Sequence, residues 1–256
     1  GTTAGLLSAC ERLGRPVDLL AINHWDVAID THTRNHPGVR HRCESLDGIN
    51  PREAVTGRLN ILCASPECTH HSNARGGMPC SDQSRAGAWH VVRWVEATTP
   101  DHFLVENVQE FRTWGPLGLN GRPLQSQRGR TFEAWIEALR SCGYHVEHRI
   151  LNAADYGDAT TRKRLFVLGR RRGRVQWAAP THVFNRRAAR EIIDWELKGT
   201  PLSERKRPLC ETTLRRIEAG LRKFGGEAFI IALRGTTPAH CDRSATAIGA
   251  PVPTIT

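Results

Sequence analysis

The chain has 256 residues, enough for one large hydrophobic core or for one domain and part of another. It carries 36 Lys and Arg against 26 Asp and Glu, and the formal net charge of +10 indicates a polyanionic partner, with nucleic acid as the leading candidate. No apolar run approaches about 18 residues, the length that a membrane-spanning helix needs, and no signal peptide is recognisable. The eight cysteines lack disulfide-framework spacing, so we expect a reduced, cytoplasmic compartment.

Apolar runs typical of strands alternate with segments of helical periodicity over the first 178 residues. Helices are predicted over 3–12, 26–35, 83–98 and from the N-cap Thr131 to Gly143. Strands are predicted over 17–22, 40–43, 60–64, 103–105, 144–151 and 165–168. This alternation indicates an α/β fold with a doubly wound, mostly parallel sheet.

The character of the chain changes after about residue 178, where basic and polar stretches become frequent. A basic helix is predicted over 214–224, with its arginines facing outward. Its apolar stripe is formed by Leu214, Ile217, Leu221 and Phe224. The helix is either a surface helix packed on the core or a connector that lies against a DNA backbone. A new β-type segment is predicted over 228–233.

A thiol and a carboxyl stand at the ends of two predicted strands. The strand over 60–64 is cut off by Pro66, and Cys68 follows on a loop. The strand over 103–105 leads directly into Glu106 and Asn107. Because open α/β sheets bind their ligands at the carboxyl ends of the strands, we expect the two groups to face one pocket.

Three motifs, taken together and in this order, resemble those of the DNA cytosine-5 methyltransferases. They are Ser65-Pro66-Glu67-Cys68, Glu106-Asn107-Val108, and the stretch from Leu151 to Gly157 that continues to Arg162-Lys163-Arg164. Each motif alone is weak, but the ordered set at strand ends is specific, and the resemblance covers roughly residues 1–178.

The resemblance implies a Rossmann-like, S-adenosylmethionine-dependent methyltransferase domain over residues 1–180. Residues 181–256 would form a basic connector and the beginning of a smaller target-recognition region. The first glycine-rich motif of the family survives only as its tail, and the Asn-rich final motif is not found in these residues. We therefore expect a fragment of a longer enzyme, bacterial or phage in type.

The resemblance also assigns catalytic roles. Carbon 5 of cytosine is too weak a nucleophile to attack a methyl sulfonium, so in this family a cysteine thiolate first adds to carbon 6. Cys68 matches that nucleophile. Glu106 matches the acid that holds or protonates ring nitrogen N3, and Asn107 would fix the local geometry. Arg162 matches the arginine that contacts the cytosine carbonyl, and Arg164 the one that supports the loop and the sugar-phosphate.

S-adenosylmethionine is the implied methyl donor. Trp25 matches the tryptophan that stacks on adenine, and Asp47 matches the acid that contacts the adenine amino group. The full set of predicted cofactor contacts is Gly1, Thr3, Asn23, His24, Trp25, Asp47, Gly48, Pro66 and Ala88.

Two departures from the family pattern fall beside these motifs. The family usually has an acid next to the stacking tryptophan, where it grips the ribose hydroxyls, but this chain has His24. The family usually reads Pro-Cys-Gln at the nucleophile, but here Glu67 precedes Cys68 and Thr69 follows it. Because a negative charge disfavours a neighbouring thiolate, we expect Glu67 to point away or to pair with an arginine.

Double-stranded DNA is the implied partner, and the reacting nucleotide would be flipped out of the duplex. Residues 69–84, rich in Gly, Ser and Asn, follow the nucleophile as the catalytic loop of the family does. Arg75 and Arg85 are predicted phosphate contacts, and Thr160 replaces the Gln that usually opens the Gln-x-Arg-x-Arg motif. We expect a monomer that binds neither a membrane nor a metal ion.

Two other classes of protein stay open. A zinc-containing DNA-binding module would use Cys63, Cys68, His70, His71 and Cys80, although their irregular spacing lacks the paired knuckles of structural zinc sites. Cys63, inside an apolar strand, is otherwise expected to be a small buried residue. The second alternative is a catalytically inactive family member that only recognises DNA. The recognised DNA sequence is not readable from these residues.

Overall fold

The computed structural model describes residues 1–67, 86–233, 235 and 237–254. They fall into two compact units. The first consists of Gly1–Arg149 and Leu165–Val175, and the second of Ile150–Arg164 and Gln176–Thr256. The functional division predicted near residue 180 stays a prediction.

Helices and strands alternate through most of the first unit. Its helices are α1 (Thr2–Arg12), α2 (Asp26–Asn35), α3 (Pro51–Ala54), α4 (Trp89–Thr98) and α5 (Arg130–Ser141). The strands are β1 (Leu20–Asn23), β2 (Arg40–Cys43), β3 (Ile61–Ala64), β4 (His102–Asn107), β5 (His145–Asn152) and β6 (Lys163–Arg170). The last residues of β5 and the first residues of β6 belong to the second unit.

Within the described residues, strands β1 to β6 form two sheets. Strands β1 and β2 pair in parallel, and a four-stranded sheet has the order β3-β4-β6-β5. Strands β3 and β4 are parallel, whereas β6 runs antiparallel to β4, so the sheet is mixed. The predicted α/β class is confirmed, and the antiparallel β6 is the feature that the strand-helix alternation did not indicate.

One apolar cluster fills the interior of the first unit. Strand β4 buries alternate residues, Phe103 and Val105, as expected for period-two packing. Helix α5 buries Phe132, Trp135, Ile136 and Leu139 at helical spacing against the same core. The sheet edge that carries the candidate site is therefore backed by close-packed side chains.

Three predicted details of the first unit are wrong. Thr131 is not the N-cap of α5, because the helix begins at Arg130 and the cap is Gly129 in a left-handed conformation, φ 84°. Residues 17–19 precede the strand and do not belong to it. Cys63 is exposed, because Leu62 and Ala64 take the face of β3 that packs on the core.

The described part of the second unit includes one longer helix, a short helix and two short strands. These are α6 (Glu211–Phe224), β7 (Phe229–Ile231), α7 (Pro238–Asp242) and β8 (Ala245–Ala247), with β7 and β8 antiparallel. The prediction that all arginines of the basic helix face outward is wrong, because Arg216 is only 4% exposed. Its guanidinium donates a hydrogen bond to the carbonyl of Gly235. Leu214 and Leu221, predicted to be part of the apolar stripe, are instead exposed.

Among the described residues, no helix has both the length and the apolar character needed to cross a membrane.

Candidate active site

The candidate site begins at the carboxyl ends of the parallel strands β3 and β4. Their register pairs Ala64 with Val105, so the residues that follow each strand emerge side by side. Asn107, at the end of β4, is buried and donates a hydrogen bond of 3.1 Å from its side-chain nitrogen to the carbonyl of Pro66. Its side-chain oxygen accepts from the backbone nitrogen of Val108 at 2.8 Å. Asn107 thus anchors the segment that leads to Cys68.

Glu106 occupies the position before Asn107 and is half-buried. It pairs with Phe166 across the antiparallel ladder between β4 and β6. Since successive strand residues point to opposite faces, the Glu106 carboxyl lies on the face opposite to Val105 and Asn107. Cys68, Arg75 and Arg85 lie outside the described residues, as do His70, His71 and Cys80 of the zinc alternative. The described residues contain no group of three or more potential metal ligands.

The predicted adenosine turn joins β1 to α2. The side-chain oxygen of Asn23 accepts from the backbone nitrogen of Trp25 at 2.9 Å, which fixes the turn at the helix start. Trp25 itself is the residue before α2 and is 58% exposed. An indole ring held by its backbone but open to solvent offers a face for a planar heterocycle.

His24 lies next to this indole and meets a residue from another strand end. Its Nε2 atom is 3.7 Å from the Oε1 atom of Glu67, and the two side chains are 62% and 56% exposed. From the sequence, Glu67 was expected either to point away or to pair with an arginine. In the structure it pairs with a histidine. The contact links the predicted adenosine turn to the residue that precedes Cys68.

The predicted adenine contact, Asp47, lies in an exposed turn with Gly48. The hydroxyl of Ser45 donates to the Asp47 carboxylate, and this hydrogen bond is the main cause that lowers the pKa of Asp47. A carboxylate of this kind stays ionised and can accept a hydrogen bond from an amino group. Asp47 and Gly48 also line an open cleft between the turn and α4.

Arg93 of α4 holds the backbone of this turn. Its guanidinium donates to the carbonyls of Leu46, Asp47 and Ile49, with distances of 3.3 Å to Asp47 and 3.2 Å to Ile49. Arg93 was not among the residues predicted for the site. Its signal was an arginine in an otherwise apolar helical stretch, between Val92 and Trp94.

The remaining predicted cofactor residues have other partners. Gly1 is the exposed N-cap of α1, and the Thr3 hydroxyl lies 2.9 Å from Nε2 of His32. Burial, followed by the charges of His36 and His41, lowers the pKa of His32, so its imidazole is neutral at pH 7. Ala88 is buried, and its carbonyl accepts from Nε1 of Trp135 at 2.9 Å.

The predicted arginines belong to the second unit. Arg162 is exposed and its carbonyl accepts from Ala153 at 2.9 Å. Arg164 is half-buried and its Nη1 donates to the carbonyl of Lys163 at 2.9 Å. Thr160 forms an isolated parallel bridge to Val252. These contacts fix the chain at Arg162, directly before β6, and at Arg164, the second residue of that strand.

A glycine is required at the preceding turn of the second unit. Gly157 has φ 93°, and a β-carbon added to it would lie 2.9 Å from the ring of His182. Both the left-handed backbone and the close ring exclude a side chain there. Asp155, two residues earlier, pairs with Arg186 at 2.7 Å. Residues of the motif over 151–157 therefore stabilise the local loop structure through contacts with His182 and Arg186, and these contacts require no ligand.

The described residues suit a nucleoside cofactor. An exposed indole, an ionised carboxylate on a braced turn and a His-Glu pair all belong to the first unit, on loops that follow β1, β2 and β3. Polar groups at the carboxyl ends of strands are the usual ligand-binding arrangement of α/β folds. The fold is thus that of an α/β protein whose first unit gathers these polar groups on the loops at its strand ends.

Comparison with known families makes the assignment specific. The sequence model of the C-5 cytosine-specific DNA methylases matches residues 3–204, and the chain belongs to that family. The resemblance seen in its motifs is thereby confirmed, while the roles of the individual site residues stay predictions.

Relatives include bacterial type II enzymes. The chain is 27% identical over 161 residues to type II methyltransferase M.Sau3AI of Staphylococcus aureus, covering 59% of this chain and 37% of the relative. It is 28% identical over 202 residues to M.SacI of Streptomyces achromogenes, covering 72% and 47%. The chain thus spans less than half the length of either curated relative.

Solved structures show a similar fold. The crystal structure of a Spodoptera frugiperda DNMT2 variant superposes with a TM-score of 0.56 at 14% identity, covering 89% of this chain and 66% of the other. At this level of identity the likeness concerns the fold alone, and it agrees with the α/β architecture described above.

Proposed function

We propose that the protein transfers a methyl group from S-adenosylmethionine to carbon 5 of a cytosine flipped out of duplex DNA. The observation that carries the proposal is the hydrogen bond from Asn107 to Pro66. It anchors the segment before Cys68 at the end of β4, next to Glu106, which is where a nucleophile and an acid are needed together. Family membership and the net charge of +10 support a DNA substrate.

In the proposed reaction the Cys68 thiolate adds to carbon 6, and the electron pair of the 5,6 double bond moves toward carbon 5. Glu106 holds N3 and stabilises the charge that develops in the ring. Arg162 contacts the cytosine carbonyl, and Arg164 supports the sugar-phosphate. S-adenosylmethionine, when bound, would supply the methyl group to carbon 5, and the electron pair of the broken carbon–sulfur bond would stay on the sulfur of the departing S-adenosylhomocysteine. Loss of the proton from carbon 5 then allows Cys68 to leave and restores the ring.

The cofactor would be held by the groups of the first unit. Trp25 offers the stacking face for adenine, and Asp47 accepts from its amino group. Arg93 keeps the Asp47 turn in place through its carbonyls. We further propose that the protein acts on duplex DNA in the cytoplasm, as part of a bacterial restriction-modification system. Residues 181–256 would form the connector and the start of the target-recognition region.

The test is covalent trapping on duplex DNA that contains 5-fluorocytosine, with S-adenosylmethionine present. Fluorine does not leave as a proton does, so the enzyme stays attached to the base after methyl transfer. We expect a shifted band on a denaturing gel with the wild-type chain. Cys68→Ala abolishes the band, whereas Cys63→Ala, a matched change five residues earlier on the exposed face of β3, retains it.

One further variant tests the role of Glu106, and one outcome would contradict the proposed reaction. Glu106→Gln should slow adduct formation by about a hundredfold, within the range expected when one acid catalyst is removed. A folded wild-type chain that binds the DNA and S-adenosylmethionine but forms no adduct would contradict the proposed reaction. That outcome favours a family member that only recognises DNA.

A further inference from the structure

The two departures from the family pattern lie in contact with each other. His24 stands at the position where the family usually has the ribose-binding acid, and Glu67 stands directly before the nucleophile, where the family usually has proline. In sequence they are 43 positions apart, yet Nε2 of His24 and Oε1 of Glu67 are separated by 3.7 Å. An acid is missing at position 24, after β1, and an acid is present at position 67, after β3.

The stability of the fold does not account for this pair. Both side chains are more than half exposed, at 62% and 56%. Ion pairs with such exposure contribute little to folding, because water screens the charges and two flexible side chains must be held. The pair does lie next to the exposed indole of Trp25, whose proposed partner is the adenine ring.

We infer that Glu67 is the carboxylate that accepts the ribose hydroxyls of the cofactor, with His24 orienting it. A carboxylate has two oxygens and can accept one hydrogen bond from each of two adjacent hydroxyls. The ribose is joined directly to adenine, so a base stacked on Trp25 places its sugar within reach of the neighbouring side chains. The inference rests on the proposed function, since it assumes an adenosine-containing cofactor.

The arrangement also explains how a negatively charged residue, Glu67, can stand directly before the nucleophile. A free carboxylate at Glu67 would disfavour the thiolate of the next residue, Cys68. A carboxylate that is paired with His24 and hydrogen-bonded to two ribose hydroxyls has part of its negative charge compensated, so it disfavours a neighbouring thiolate less. The same contacts link cofactor occupancy to the residue that precedes the nucleophile.

The test measures binding, independently of turnover, by isothermal titration calorimetry of the full chain. The probes are S-adenosylhomocysteine and its analogue that lacks the ribose 2′-hydroxyl. The wild-type chain should bind the complete ligand roughly ten- to a hundredfold more tightly, because a hydrogen bond to a charged group is lost with the analogue. Glu67→Gln should weaken the complete ligand and reduce this ratio to below about threefold.

Two further variants serve as controls, and two outcomes would contradict the proposals. Glu44→Gln removes another exposed, ion-paired acid of the same unit and should leave the ratio unchanged. His24→Ala should lower the ratio only in part, because it frees the carboxylate without removing it. If Glu67→Gln weakens both ligands equally, Glu67 only supports the loop and the inference is wrong. If the wild-type chain binds neither ligand, the proposed function itself falls.

Discussion

The two compact units are stabilised by different kinds of contact. The first unit has one continuous apolar cluster built around aromatic residues of β4, α5 and the segment after β4. In the described part of the second unit the buried apolar residues are small, namely Ala154, Ala159, Ala189, Cys241 and Ala245. Polar contacts take a larger share there, and they include the buried Arg216 and the bidentate pair between Arg215 and Asp242.

Because their contacts differ, the two units should be sensitive to different kinds of substitution. Apolar burial contributes about 25 cal/mol per Å², does not depend on direction and is not screened by salt. A hydrogen bond contributes only about 0.5–1.5 kcal/mol net and depends on geometry, and an exposed ion pair also depends on pH and ionic strength. We therefore expect the first unit to respond to changes of volume and the second to changes of charge.

The largest effect should come from Trp135→Ala in the first unit. Trp135 has no exposed surface and donates to the carbonyl of Ala88, so its removal leaves a cavity and an unpaired carbonyl. The expected loss is about 3–5 kcal/mol of unfolding free energy, measured by urea denaturation. Trp195→Ala, at a residue 59% exposed in the second unit, is the matched control and should cost less than about 1 kcal/mol. Similar losses for the two variants would contradict the comparison.

A smaller effect is expected from a pair of glycine substitutions. A β-carbon at Gly169 would lie 2.0 Å from the ring of Phe103, and one at Gly220 would lie 2.1 Å from the ring of Phe229. Phe103 is fully buried, so Gly169→Ala forces overpacking and should cost about 3 kcal/mol. Phe229 is only half-buried and its ring can move outward, and alanine is favoured over glycine inside α6 by about 1 kcal/mol.

We therefore expect Gly220→Ala to cost at most about 1 kcal/mol, after the helix propensity is subtracted from the overpacking. Chemical denaturation measures both variants. The alkylation rate of the buried Cys241, read by mass spectrometry, reports the second unit separately. Equal costs at the two glycines would show that the second unit is as tightly packed as the first.

The smallest effect concerns acid stability in the second unit. The hydrogen bond from Arg215 lowers the pKa of Asp242 below its ordinary value. The folded state therefore holds this proton less tightly than the unfolded state, and the stabilisation is present above pH about 4 and lost as the pH falls through the lowered pKa. Asp242→Asn should remove this part of the acid sensitivity, measured by hydrogen exchange of residues 238–247. An unchanged pH profile would exclude the pair as a contributor.

Much of the fold could be predicted because the apolar pattern determines it. Helix α2 and strand β2 have the predicted bounds, and the apolar stripe of α5 is buried as expected. The apolar pattern did not predict which residues are buried where contacts between distant segments determine burial. The buried face of α6 includes Gly220 and Arg216, which a stripe defined by aliphatic residues does not include. Exposure of Cys63 likewise follows from which face of β3 meets the core.

The sequence predicts which residues of the candidate site follow the ends of the strands. It does not predict which of these residues contact one another. Asn107 was expected to fix local geometry, and its hydrogen bond to Pro66 is a specific contact of that kind. The pairing of His24 with Glu67 and the hold of Arg93 on the Asp47 turn were not foreseeable. Both depend on how loops far apart in sequence meet, and no local periodicity encodes that.

The contact between Arg93 and the turn has a consequence for sequence variation. All three acceptors of its guanidinium are backbone carbonyls, of Leu46, Asp47 and Ile49. Every residue has such a carbonyl, so this support is indifferent to the side chains that the turn presents. The turn is thus free to change what it recognises while one arginine, whose planar fork lysine does not reproduce, preserves its shape.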